Sequence, residues 1–600
     1  MSNPSPHLLL RAPTPTQLSL SFCDATPRDL KRWIAGLPKA NLGETARLLY
    51  QGLGELNLLR TPSENRLQLL ELLRPEVYYV CKHLERHFLN QAIVLDERPR
   101  KVANLCQALQ NHLAIGYKQI AMRVASKGGK DRSLLTTALQ RALHCLNGPL
   151  VRASQLYCPV PEGLWFEVHQ LYQVALAHQV QNTPVFDEQA SQPLPLSVEN
   201  TYIVALLLGC ARSNQMRQNN IARLAEVLEP WSAQVRLQGA EQVSSLFAVA
   251  PGSDAPPRYT SLFAVEQLPN LIGIDTLPLV EAIKDYLQLP ADLRGQSRLQ
   301  VPSGLSLDVL QHLSAAWGEA AERTFQRTPG QGTVTLCVGM SALHFYLGGQ
   351  RSFSDILKIP AASKAAQFTV QLSNSAEKDA WNHAFDAQRA GSADTLLPYE
   401  EIQYHVTDAD SSQAAFNSAE DFPTHGLQII NHSPGGYCLA WPKEVPAQLQ
   451  AGEMVGVQDP SSQGWSVAVV RWIRQVRSGG TQMGIELVAP HAQPCGLQLL
   501  RGGEGHSQYL RALLLPEISA IGVPATLLAP RLPFQEGHKV IINSNGEERR
   551  AGLNKRLAST GSFNQFEYRL LEQPVTPKTD PSAGGLGVAE DDFGSLWKIL

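Results

Sequence analysis

Two arginines four residues apart, Arg323 and Arg327, stand immediately before the first strand-like run of the chain's second half. About a hundred residues later, Asn431, Ser433, Gly435 and Gly436 fall together in the run NHSPGG, just beyond the strand-like GLQII. A guanidinium fork matches phosphate or a guanine edge bidentately and can stack on a base. An asparagine offers a donor and an acceptor, a serine adds a hydroxyl, and paired glycines permit a tight turn where a side chain would block a ring. Other candidates fall short of their own patterns. His83 and His87 lie at i and i+4 on one helix face, a zinc-chelating spacing. Yet the intervening glutamate does not directly follow the first histidine and no third ligand is identifiable, so an ordinary helix and no metal are expected. Lys127-Gly128-Gly129-Lys130 lacks the spacing of a phosphate loop, and Gly339-Met340-Ser341 fails the GxSxG pattern at its last position. Asn431-His432-Ser433 fits a glycosylation sequon, which is silent in a cytosolic chain. No hydrolase, kinase or dinucleotide signature survives, so the chain reads as a binding protein, not an enzyme, with no cofactor.

The elements that must position these residues change character along the 600 residues. Apolar residues make up 44% and charged ones 18%, a composition that excludes a largely disordered chain and suits several folded units. The net charge of −3 excludes wholesale nucleic-acid-like basicity. It is uneven: residues 1–150 carry +9 and the remainder −12. From Thr26 to about Pro230 apolar residues recur at helical spacing without a repeat period, which predicts a helical bundle rather than a solenoid. Thr26 and Pro27 read as the N-cap and N1 of its first helix. Residues 240–275 predict a hairpin from SSLFAV and TSLFAV, followed by helices over Leu277–Leu287 and Leu307–Glu322. From Gly332 the chain turns to short strands: TVTLCVGMSALHFYL, GLQII, MVGVQD, WSVAVVRWI and QMGIELV. A stretch over about 350–424 reads as a long insertion with at most one strand, EIQYHV. Another strand-rich segment follows to residue 573, with Ser544-Asn545-Gly546 as a turn. The Pro/Gly/Asp-rich tail, 574–600, reads as disordered, and Phe593, Leu596, Trp597 and Leu600 take the spacing of a short helix that docks either on a partner or back on the chain's own β domain.

Nine cysteines are spread singly, with no CxxC pair, which suits reduced thiols in a cytoplasmic protein. The N-terminus lacks the charge and apolar core of a signal peptide. The apolar run Tyr202–Ala211 is half the length a bilayer requires, so a buried helix and no membrane insertion are expected.

The arginine pair and the NxSxxG run, followed by GEMVGVQD, WSVAVVRWIR and GGTQMGIELVAP, resemble the PilZ domain, the bacterial receptor module for cyclic di-GMP. The resemblance covers roughly residues 323–490, apart from the insertion. It implies a six-stranded antiparallel β-barrel and a cyclic di-GMP site made by Arg323, Arg327, Asn431, Ser433, Gly435 and Gly436. The two motifs stand 104 residues apart here, further than the family's few tens, a separation that costs little extra closure entropy. Were the arginine pair coincidental, Arg471 and Arg474 of RWIR could instead lie near the ligand, although their odd spacing places them on opposite faces of a strand. The fold expected is α+β and multidomain: a helical domain over 1–235, a mixed connector over 236–305, a PilZ-like barrel over 306–492 and a second β domain over 493–573, read as a degenerate barrel. Binding should order the arginine segment and reorient the barrel against the helical half or a protein partner reached through that half or the tail. The competing reading is a scaffold that binds no ligand and whose basic helical domain takes an acidic partner or nucleic acid. That domain lacks a basic stripe with interleaved aromatics, so nucleic acid ranks lower.

Overall fold

A computed structural model describes residues 5–190, 195–302, 304–320, 326–358, 422–442, 444–460, 464–477, 479–500, 507–517 and 524–571. Arg323, the EIQYHV run and the tail residues 574–600 lie outside them. The first half forms the helices its spacing predicts: α1 (Pro27–Ala35), α2 (Leu42–Leu58), α3 (Ser63–Leu84), α4 (Glu97–Ser126), α5 (Arg132–Gln155), α6 (Leu164–Ala177), α7 (Val198–Cys210) and α8 (Gln218–Trp231). Side-chain caps start several of them. The Thr26 side chain accepts from Asp29 N, Asp131 from Leu134 N, and Ser197 forms a capping box with Asn200. α7 carries the apolar run because the other helices cover it on all sides; ten of its 13 residues are buried. Among the described residues no helix is long and apolar enough to cross a membrane.

Polar groups tie the bundle internally. Arg74 donates to both carboxylate oxygens of Asp187 at 2.7 Å each, and Arg141 adds a third contact at 3.1 Å. Burial alone would raise the Asp187 carboxyl. The hydrogen bonds from Arg74 and the surrounding cations instead hold it well below the usual carboxylate range. His144 meets Tyr78 through Nδ1 and Glu229 through Nε2, linking α3, α5 and α8.

A four-stranded sheet, β1 (Arg236–Gly239), β2 (Phe247–Val249), β3 (Arg258–Tyr259) and β4 (Ile272–Asp275), runs in the order β1-β4-β2-β3. β2 and β3 form the hairpin, but the second apolar run does not continue as a strand. Thr260 Oγ1 donates to Ser245 O, and Thr260–Leu262 and Val265–Asn270 curl into 3-10 turns. α9 (Leu277–Gln288) and α10 (Leu307–Gly318) follow. The indole of Trp317 donates to Leu207 O and anchors α10 on α7.

The middle barrel comprises β5 (Thr328–Pro329), β6 (Thr333–Val338), β7 (Thr424–Ser433), β8 (Gly436–Trp441), β9 (Met454–Gln458), β10 (Ser466–Gln475) and β11 (Thr481–Ala489). The order is β5-β7-β6-β9-β10-β11-β8, and the β7–β8 pairing closes it. Its interior, including Val334, Leu336, Leu427, Leu439, Val470 and Ile485, is continuous with the core of the helical bundle. TVTLCVGMSALHFYL is not one strand. Gly339, at φ +90°, donates its N–H to Met454 O and turns the chain, so that MSALHFYL forms α11 (Met340–Leu347). This helix is apolar on most sides because it is wedged between two barrels: Met340 and Leu343 share a core with Leu513, Leu515 and Leu528. The short α12 (Phe353–Leu357) comes next.

The last barrel is β12 (Gln493–Leu499), β13 (Leu510–Leu515), β14 (Thr526–Pro530), β15 (Lys539–Ser544), β16 (Glu547–Ser559) and β17 (Phe563–Leu570), closed in the order β12-β13-β14-β17-β16-β15. Numbering each barrel's six main strands one to six gives the same circular order in both, 1-4-5-6-3-2, with every pairing antiparallel. The C-terminal unit is therefore a second copy of the middle barrel's topology.

Asp187→Ala should strand the buried Arg74 guanidinium, Arg141 keeping Glu71, and lower unfolding free energy by about 3–5 kcal/mol, read by denaturant titration. The wild-type carboxyl is depressed in the folded state. Its contribution is full above the unfolded carboxylate pKa of about 3.9 and is lost as pH falls below it. The acid slope of the melting temperature should accordingly flatten in Asp187→Asn.

Candidate ligand-binding site

Strand alternation would send every second residue of β7 into the barrel, and Leu427 and Ile429 do point inward. Between Ile429 and Asn431 the register slips by one residue. Ile429 pairs with Leu439, but Asn431 pairs with Cys438 and Ser433 with Gly436. This bulge turns Asn431 and Ser433 to the outer face. β5 then continues the β6 side of β7, with Thr328 opposite His432 and Pro329 opposite Asn431. That pairing brings Arg327 beside the strand bearing NxSxxG, and its Nη1 donates to Asn431 Oδ1 at 2.9 Å. Two residues 104 apart in the chain are thus in contact.

Ser433 Oγ reaches toward Gly436 O at 3.5 Å, and Gly435 O accepts from Leu487 N at 2.9 Å. Gly436 lies against β11 so closely that a Cβ there would be 2.0 Å from Ile485 O, which excludes any side chain. These glycines bring the β7–β8 turn onto β11. Arg327, Asn431, Ser433, Gly435 and Gly436 occupy one region of the surface. The placement of Arg323 lies outside the described residues.

A second bulge widens the region. In β10, Val470 pairs with Ile485 and Trp472 with Gly484, so Arg471 is the extra residue. Arg471, Trp472 and Arg474 therefore share the outer face, while Val470 and Ile473 stay inside. The odd spacing of Arg471 and Arg474 does not separate them, because the inserted residue resets the alternation. Arg471 Nε meets Glu486 Oε2 at 2.6 Å on the open surface, and Arg474 donates to Gln482 Oε1 at 2.6 and 3.0 Å. The Arg474 guanidinium sits 5.3 Å from the Trp472 ring centroid.

The floor between the bulges is made of small residues: Gly436, Cys438 and Ala440 on β8, Gly484 on β11. A Cβ on Gly484 would fall 2.0 Å from Trp472 Nε1, so the indole lies flat on that glycine. Burial pushes the Cys438 thiol up, and the charges of Arg327 and Arg474 pull it down, so both cations flank it. The face is a shallow bed with guanidinium groups on either side and an indole at one margin. It suits a planar anion with hydrogen-bonding edges. Sequence reasoning passed over Trp472, whose signal was its place in RWIR two residues before Arg474. The His83–His87 pair does not become a site: α3 ends at Leu84, His83 Nδ1 bonds Tyr79 O, and no group of metal-capable side chains occurs among the described residues.

A closed six-stranded antiparallel barrel, with Arg327 laid beside an outward-facing Asn-x-Ser-x-x-Gly, defines a PilZ-type domain. Comparison with known proteins agrees along the chain. Family models match residues 28–242 ("Cyclic-di-GMP receptor FimW, N-terminal domain"), 246–494 ("Cyclic-di-GMP receptor FimW, middle PilZ domain") and 495–571 ("FimW C-terminal beta-barrel domain"). The cyclic-di-GMP receptor FimW of Pseudomonas aeruginosa is 61% identical over 612 aligned positions, which cover all of both chains. This chain belongs to the FimW family. No solved structure matches it.

Gly484→Ala should displace the Trp472 indole while leaving β11 paired. We expect an altered tryptophan emission spectrum and a stability loss of about 1–3 kcal/mol, as for an overpacked site. An unchanged spectrum would show that Trp472 does not rest on Gly484.

Proposed function

We propose that this chain is a cytoplasmic receptor for cyclic di-GMP that binds the dinucleotide on the outer face of its middle barrel. The observation that carries the reading is the contact between Arg327 and Asn431, made across 104 residues by β5–β7 pairing and the Ile430 bulge. It supports a single site built from Arg327 and the Asn-x-Ser-x-x-Gly run. Arg323 and Arg327 would grip the phosphates and the O6/N7 edge of a guanine. Asn431 and Ser433 would meet a base edge, and Gly435 and Gly436 keep the turn low enough for a purine to pass. Arg327 gives up its hydrogen bond to Asn431 or shares it, and both groups are already aimed at the surface. Trp472 offers the second base a stacking surface, with Arg474 as its cation. The relative's name, a cyclic-di-GMP receptor, supports the choice of ligand, and its full-length coverage supports a receptor built from the same three units.

Arg327→Ala removes one charge-assisted donor on the open surface. Cyclic di-GMP affinity, measured by calorimetry, should fall about ten- to hundred-fold, equivalent to roughly 1.5–3 kcal/mol. The melting temperature should stay unchanged, since the side chain buries nothing. Trp472→Ala should weaken binding by about 1–3 kcal/mol if a base stacks there. Affinity untouched in both variants would leave the barrel a scaffold.

A further inference from the structure

The stretch of β10 that presents Arg471, Trp472 and Arg474 is tied at both ends to the helical bundle. At the near end, Gly452 N donates to Val470 O at 2.7 Å and Val470 N to Glu453 O at 2.9 Å. The Glu453 side chain, 1% exposed, accepts from Arg217 Nη2 at 3.3 Å, and Arg217 Nε donates to Ala451 O at 3.1 Å. Arg217 is the residue that opens α8. At the far end, Gln475 N donates to Tyr157 O at 2.7 Å, and its side-chain amide donates to Leu156 O and Ile93 O at 3.0 and 2.8 Å. Arg477 adds Val160 O at 3.2 Å. Tyr157 holds a left-handed φ of +53° just after α5, and its buried hydroxyl donates to Met216 O at 2.7 Å. Met216 is covalently next to Arg217, so the path closes on itself: Val470, Glu453, Arg217, Met216, Tyr157, Gln475 and back through the bulged strand. The same Arg217 and Glu453 also bond Ser562, in the turn between β16 and β17 of the last barrel.

From this closed ring we infer that ligand occupancy at the β10 face is transmitted through Gln475–Tyr157 and Glu453–Arg217 to the start of α8 and, through Ser562, to the last barrel. The inference rests on the cyclic di-GMP reading and adds a route distinct from the arginine segment. A bulge is the place where strand twist is most readily altered. A ligand that pulls on Trp472 or Arg474 changes that twist, and neither end of the segment can follow without moving a bonded group in another domain. Apart from the exposed Arg477 contact, the side-chain bonds involved are buried or part-buried and directional, so a small displacement is passed on more than it is absorbed by solvent.

Hydrogen exchange on the full chain, with calorimetry on the same samples, tests this. Adding cyclic di-GMP to the wild type should alter exchange at residues 153–160, 213–221 and 559–564 as well as in the middle barrel. Arg217→Gln and Gln475→Ala, each first checked to melt cooperatively, should still saturate with ligand but lose those distal changes. Heat of binding with exchange changes confined to residues 326–490 would overturn the relay and leave the receptor reading standing. Distal changes that persist in both variants would overturn it too, and absence of heat in the wild type would remove the receptor reading on which it rests.

Discussion

A strand shows its residues alternately to two faces, so a single inserted residue moves everything after it to the other side. The candidate site on the middle barrel depends on that constraint being broken twice. Without the bulge at Ile430, Asn431 would face the barrel interior, where Leu427 and Ile429 already point, and an unpaired amide there would carry a desolvation penalty. Without the bulge at Arg471, that arginine would stay outside but Trp472 and Arg474 would change places with Ile473, burying a guanidinium. Both bulges thus let an apolar barrel keep its filling while its outer face collects cations, an indole and an amide.

Charge on this face is arranged to be available. The Arg471–Glu486 pair is about half exposed on both sides, so it is worth at most about 1 kcal/mol and yields readily to a competing phosphate. Arg327 and Arg474 are held by neutral amides, Asn431 and Gln482, rather than by carboxylates. The helical bundle treats its cations in the opposite way. Arg74 and Arg141 are buried against Asp187, and their charges are spent on holding the stretch around Asp187 to α3 and α5. The basic excess of residues 1–150 is partly this internal pairing, which removes some of the case for a nucleic-acid surface there.

The two barrels share a circular strand order but not a chemistry. The segment before β12 is Ala489-Pro490-His491-Ala492 and carries no arginine, and the connection after β13 carries no Asn-x-Ser-x-x-Gly. Its strands instead present apolar residues on both faces. Cys495, Leu497 and Phe566 fill the interior, while Leu513, Leu515 and Leu528 pack on α11. The last barrel reads as a copy of the middle one's topology whose outer face has become an interdomain surface.

Local patterns in the chain sufficed for the helical first half, the turn from helix to strand near residue 332, and the kinship of NHSPGG with an arginine pair. Each of these is written in residues close together: helical periodicity in ARLLYQGLGELNLL, β-branched runs bounded by glycine, a short motif with its spacing. Two features needed the tertiary structure. MSALHFYL reads as strand because it is uniformly apolar, and only the second barrel pressing on its far side makes a helix the better way to bury it. Alternation alone separates Arg471 from Arg474 and leaves the face of Asn431 open, because a bulge leaves no mark in composition. It is set by the register each backbone group finds. β8 and β11 are the hairpin neighbours of β7 and β10, yet only the paired strands show which residue is left over, and β5 reaches β7 from the far side of the long insertion.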